Sequence, residues 1–254
     1  EGAAMAAKKY IILASIMMTM FVGPFLGTAV NLCIPSMESD LNVDAATIGW
    51  TITTFSIAMC AFSLPMGKIA DLTSLRSMFL IGLFIIIGSS FITAIVDSFE
   101  MLMVCRIVQA IGSAMTSSTA IPIAITMFPP EQRGKSIGIC SSAVYFGGSM
   151  GPTLGGFMNS AFSWRWVFFL ATFVALIALT IAFVSMPRGN HQRHEVTIDV
   201  PGNALYQVMI SLVLFGLTGL NTIDHAWVFL VAGLAVGVVF VLVERRAKEP
   251  VLRL

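Results

Sequence analysis

The chain has 254 residues, 57% of them hydrophobic and 11% charged, with a net charge of +1 and a mean hydropathy of +0.91. Soluble domains carry roughly 25% charged residues, so this composition excludes an ordinary soluble protein and makes the lipid bilayer an obligatory partner. So small a net charge gives no footing for nucleic-acid binding.

Eight apolar runs follow in order, at about residues 10–34, 47–66, 78–96, 101–128, 136–159, 166–186, 204–220 and 226–243. They lack polar alternation and are about twice as long as the ~9–11 residues of a barrel strand. The expected fold is all-α: a polytopic membrane bundle of about eight transmembrane helices. Residues 1–9 form an N-terminal tail, in which residues 1–4, ahead of Met5, are expected to be foreign to the native chain. Residues 10–186 make a six-helix unit, 187–203 a cytoplasmic linker, 204–243 two additional helices and 244–254 a cytoplasmic tail. The first run is too long for the core of a signal peptide.

The loops set the orientation. One set holds Lys8, Lys9, Lys68, Arg76, Arg133, Lys135, Arg188, Arg193, Arg245, Arg246, Lys248 and Arg253; the other holds Arg165 as its one lysine or arginine, with Glu38, Asp40, Asp44, Asp97, Glu100 and Asp224. That asymmetry places both termini in the cytoplasm and the protein in the cell membrane as a multi-pass chain. Cys33, Cys60, Cys105 and Cys140 lie inside apolar runs and read as small buried hydrophobes. His191 and His194 have HxxH spacing in the linker but no third ligand nearby, so no metal and no cofactor is expected. His225 sits at a helix end.

The fourth run carries one charge, Arg106. An arginine there costs at least ~2.5 kcal/mol to insert, so it is expected to face a bundle interior or a wet cavity. Gln109, Ser113 and Thr116 follow at helical spacing on the same face. The plainer role for Arg106 is a packing hydrogen bond to backbone carbonyls; for the serines and threonines it is back-bonding to their own helix. Pro24 and Pro122, with Pro65 and Pro152, are expected to interrupt matching helices of two three-helix units, as in an inverted repeat. The fifth run contains GGSMGPTLGG, in which Gly147, Gly151, Pro152, Gly155 and Gly156 allow close helix approach and a bendable seam. Gly67, Asp71 and Arg76 mark a short loop whose acid can latch onto a neighbouring helix N-terminus.

These pieces resemble the major facilitator superfamily of secondary transporters. Gly67, Asp71 and Arg76 match its loop motif, and Arg106, Gln109 and Gly112 match its fourth-helix motif with Ala110 in place of a glycine. The GPxxGG run from Gly151 is similar to the fifth-helix signature of its drug antiporters. Thr28, Asn31 and Pro35, the Ser163-Trp164-Arg165-Trp166 run, and Asp199 with Gly202 fit the 14-helix drug:proton branch. Leu72, Ser74 and Leu75 depart from the loop motif, and Leu26 stands where that branch usually has an aspartate. None of the eight runs contains an aspartate or glutamate, so this half lacks an obvious proton carrier.

The resemblance implies a six-helix half with a 3+3 inverted repeat plus two linking helices. It further implies efflux of small amphipathic molecules by proton antiport, completed by a second half or a second copy. Arg106, Gln109, Ser113 and Thr116 are then expected to line the substrate cavity, with Thr28 and Asn31 opposite and Tyr145 and Ser149 contributing from the fifth helix. The alternative is a non-transporting, truncated or partner-modulating membrane protein. An enzyme is not expected: the runs hold no aspartate pair, HExxH or activated serine, and no phosphate loop suggests an ATP-driven pump.

Overall fold

The computed structural model describes residues 2–187, 200–220 and 225–245, without the side chains of residues 2–6, Asp71, Val200 and Glu244. Those residues form eight helices: α1 Gly2–Leu41, α2 Ala45–Leu72, α3 Leu75–Ile95, α4 Phe99–Met127, α5 Pro130–Ala161, α6 Arg165–Ser185, α7 Val200–Gly219 and α8 Ala226–Glu244. His191, His194, Asp199 and most of the expected linker lie outside the described residues, as does the expected tail beyond Arg245.

Local chemistry sets several helix starts. Asp44, Ser74 and Ser98 cap α2, α3 and α4, accepting from the amides of Thr47, Ser77 and Met101, which satisfies donors the helix itself leaves open. The two hydrogen bonds from Thr47 hold the Asp44 carboxyl below the usual carboxylate range. Pro130 stands at the first turn of α5, where its missing N–H costs nothing.

The prolines do not interrupt their helices as expected. α1 runs through Pro24 and Pro35, α2 through Pro65, α4 through Pro122 and α5 through Pro152. In lipid a true break strands several backbone groups without water, so a continuous helix missing one donor is the better solution.

The two-unit symmetry survives in the packing. α1 packs along α5 as α2 packs along α4, and α3 against α4 as α1 against α6, while α3 pairs with α6. Exchanging α1–α3 for α4–α6 maps this pattern onto itself, and three helices per unit make the relation inverted. α7 and α8 form a hairpin that docks on α2, with Phe215 against Trp50 at 5.2 Å between ring centroids.

Seven of the eight helices are long and apolar enough to cross a membrane; α5 is the exception on hydropathy. Its glycines and serines lower the average, yet its ends fix its course. Phe128, just before α5, packs on Tyr10 in the third turn of α1. Arg165, just after it, meets Asp40 and Asp97 at the far ends of α1 and α3. α5 therefore traverses the full bundle.

That second end carries a small ion cluster. Arg165 donates to Asp40 at 2.6 Å, to Asp97 at 2.8 Å and to the Val96 carbonyl at 3.2 Å, and the Trp164 indole also donates to Asp40, at 2.9 Å. The one basic residue expected on its face of the membrane is thus matched by two acids, and it ties α1, α3 and α6 together. Asp97 is 88% exposed and Asp40 44%, so the Asp97 pair is screened and weak. Arg165→Gln is expected to lower stability by about 1–2 kcal/mol, and Asp97→Asn by under about 0.5 kcal/mol, in thermal melts. Equal effects would mean that Asp40 is not the principal partner.

Candidate functional site

α4 brings its polar side chains to two different places. Arg106 is fully buried. Its Nε donates to the Thr51 carbonyl of α2 at 3.3 Å and its Nη1 to Gln109 Oε1 at 2.6 Å, and the guanidinium lies 4.4 Å from the Phe55 ring centroid. Gln109 passes the chain on, donating Nε2 to Ser90 Oγ of α3 at 2.6 Å. Nη2 has no partner among the described residues, and neither described ion pair involves Arg106. Two charge-assisted hydrogen bonds at about 1.5–3 kcal/mol each, with a desolvated cation–π contact of about 2, offset an insertion cost of ~2.5–3.5 kcal/mol. Of the two surroundings expected for this guanidinium, the structure gives the bundle interior, as an aromatic wall and a hydrogen-bonded relay across α2, α3 and α4.

Seven residues further along α4, about 10 Å, Ser113, Thr116 and Ser117 line a partly open recess of about 150 Å³. Thr19, Met20 and Pro24 of α1, Met59 of α2 and Val144 of α5 complete most of its wall. These positions lie near the middles of their helices, at the depth expected of a transporter's substrate site. The structure thus brings together Ser113 and Thr116 of the expected cavity set and separates them from Arg106 and Gln109.

The other expected residues fall elsewhere. Thr28 sits in the α1–α5 seam, donating to Pro24 O at 3.0 Å and within reach of Gly148 O at 3.1 Å. Asn31 is exposed on α1 and donates to Gly27 O at 2.9 Å. Tyr145 and Ser149 are exposed on α5. The recess residues that sequence reasoning passed over, Thr19, Met20, Met59 and Ser117, carry no signal beyond their helical phase.

Among the motif residues, Gly147, Gly151 and Gly155 are buried where α5 crosses α1. A Cβ on Gly147 would run into the Phe21 carbonyl, and one on Gly155 would lie 2.6 Å from Ala29 Cβ. Gly156 is looser, with Leu32 Cδ1 at 3.4 Å, and Pro152 is exposed. Gly82 and Gly112 make the matching close approach between α3 and α4, each added Cβ 2.9 Å from the other's carbonyl. Gly67 has open space around it. Arg76 donates Nη2 to the Phe183 carbonyl at 2.8 Å in the last turn of α6, where a carbonyl lacks a helical partner. Asp71 lies near the end of α2, its side chain outside the described set.

The family model described as Major Facilitator Superfamily matches residues 12–243. The chain belongs to the Major Facilitator Superfamily. Within it, the chain is 26% identical to the riboflavin transporter RibZ of Clostridioides difficile, over 83% of this chain and 46% of that one. It is 26% identical to the lincomycin resistance protein LmrB of Bacillus subtilis, over 100% and 55%, and 28% identical to the puromycin resistance protein pur8 of Streptomyces alboniger, over 89% and 46%. The chain spans about half the length of these relatives. Two solved structures share the fold at 15% identity: the human organic anion transporter MFSD10 (TM-score 0.63, 85% of this chain and 56% of that one) and the POT family transporter PepTSo (0.66, 92% and 52%). Of the three relatives, one is named as a transporter and two as antibiotic-resistance proteins; the chain is a multi-pass membrane member of a transporter family.

Proposed function

We propose that this chain provides the N-terminal half and two linking helices of a secondary transporter that exports amphipathic small molecules by proton antiport. A second six-helix half completes the cavity, on the same polypeptide, on a partner or as a second copy. The observation that carries the reading is the partly open mid-bundle recess at Ser113 and Thr116, walled by residues of α1 to α5. Family membership supports it, and the drug-resistance relatives support the substrate class. Both termini lie in the cytoplasm of a cell whose plasma membrane holds the protein, as the loop charges argue.

The chemistry divides between the halves. No carboxylate lies in the middle of any described span, and arginine does not titrate in the working range. The proton carrier therefore belongs to the second half, and this half supplies substrate contacts and the hinge. The α1–α5 and α3–α4 seams, held at backbone contact by glycine, move as rigid pairs while the cavity face opens to alternate sides. Arg106, Gln109, Thr28, Asn31, Tyr145 and Ser149 are proposed to meet substrate or the second half as that face rearranges.

The test is flux in proteoliposomes carrying a pH gradient, with a panel of fluorescent amphipaths. The purified chain is expected as a dimer or with its second half, and uptake is expected to collapse when a protonophore dissipates the gradient. A well-folded chain that moves nothing under any gradient, alone or with a second half, would overturn transport in favour of a non-transporting or partner-modulating role.

A further inference from the structure

The hydroxyls around the recess have spent their hydrogens. Thr19 donates to the Ser15 carbonyl at 2.9 Å, Thr116 to Ser113 O at 3.0 Å and Ser117 to Ala114 O at 3.2 Å. A carbonyl oxygen can only accept, so each hydroxyl must be the donor in its pair. What remains to each is acceptor capacity, because a hydroxyl has one hydrogen and two lone pairs. Pro24 adds to this: without an N–H it leaves the Met20 carbonyl, one turn earlier, short of its helical donor. Met20 and Pro24 both line the recess.

The recess is thus rich in acceptors and poor in donors. Ser113 is its exception, with a hydroxyl that makes no hydrogen bond among the described residues. An anion entering here meets lone pairs, and a fixed cation finds no carboxylate to offset its lost hydration. A neutral molecule with an N–H or O–H on its edge meets neither penalty. The sulfurs of Met20 and Met59 favour an aromatic body, since thioethers pack adaptably against ring edges.

We propose that this half recognises neutral aromatic or heteroaromatic molecules through a hydrogen they donate, with Thr116 and Ser117 as the residues that set that preference. The proposal rests on the cavity reading above and sharpens it to a substrate class. Thr116 is buried on the α4 face and Ser117 half-buried beside it, so their oxygens can be removed with little change of volume.

Indole and 1-methylindole form the test pair: both are neutral and aromatic, and they differ by one N–H. Binding is measured by saturation-transfer NMR on the chain in nanodiscs, with empty nanodiscs subtracting lipid partition. Indole is expected to bind about five-fold tighter than 1-methylindole, the value of one ordinary neutral hydrogen bond. In Thr116→Val/Ser117→Ala the ratio is expected to fall to about one, with 1-methylindole unchanged. Equal binding of the pair to the unmodified chain would overturn the proposal, as would an unchanged ratio in the folded variant or tighter binding of indole-3-carboxylate than of indole. The comparison on the unmodified chain decides the matter even if the variant fails to fold. No flux is needed, so the two readings separate: selective binding without transport sinks the transporter reading alone, and transport with a ratio of one sinks this proposal alone.

Discussion

Gly147→Val and Gly151→Val are expected to leave little folded protein, whereas Gly148→Ala, between them, is expected to melt like the unmodified chain or slightly above it. The difference lies in where each missing Cβ would point. At Gly147 it would enter the Phe21 carbonyl, and at Gly151 it would sit 2.9 Å from the Phe25 carbonyl and on top of the Thr28 hydroxyl. The obstacles are mainly backbone atoms, which cannot rotate aside, so α1 and α5 have to separate along the most extensive helix pair in the bundle. Overpacking where side chains can yield costs about 1–3 kcal/mol; here the cost is expected at the top of that range or beyond. Gly148 has nothing within 4 Å of its would-be Cβ, so alanine there gains up to ~1 kcal/mol of helix propensity. Yield of monodisperse protein and its thermal midpoint in detergent read both outcomes. If Gly151→Val matched Gly148→Ala, the two backbones would not be in contact.

The same seam shows which features of this chain its sequence makes plain. Runs of about twenty apolar residues and a glycine stripe at helical spacing each follow from a one-dimensional rule of the bilayer, and each has its counterpart in the helices. The back-bonded threonines are equally local: Thr28, Thr116 and Thr119 bond to carbonyls three or four residues earlier. Proline misled because the inverted repeat was expected to show itself as broken helices, whereas α1 and α4 run on through Pro24 and Pro122. The hydropathy of α5 understates its course for a related reason: the small residues that let it touch α1 are also the ones that lower its average.

What the sequence hid is the far side of each long-range contact. Arg106 announces itself by its cost, but a backbone carbonyl has no sequence signature, so Thr51 could not be read as its partner. Ser90 is one of many serines, and only the packing of α3 on α4 makes it the end of the relay. Phe55 is an unremarkable aromatic until α2 lays it against the guanidinium. The recess is likewise a product of assembly, drawing residues from α1 to α5 whose phases agree only after folding.

The relay itself gives the sharpest expectation. Arg106→Met is expected to cost roughly 2–4 kcal/mol, the two charge-assisted bonds and the ring contact being only partly offset by relief of the arginine's insertion penalty. Gln109→Leu is expected to cost as much or more, because it strips Nη1 of its acceptor and leaves a buried cation with two idle nitrogens, Nη2 having none already. The double variant Arg106→Met/Gln109→Leu removes both ends of the 2.6 Å bond and is expected to cost less than the sum by about 1–2 kcal/mol. Additive effects in thermal melts would mean that the bond does not form in the membrane. The double variant also separates packing from transport. If the guanidinium's idle nitrogen meets a substrate or the second half during the cycle, flux in Arg106→Met and in the double variant falls further than their melting temperatures account for. If Arg106 only fastens α2, α3 and α4 together, flux follows the melting temperature across all three variants.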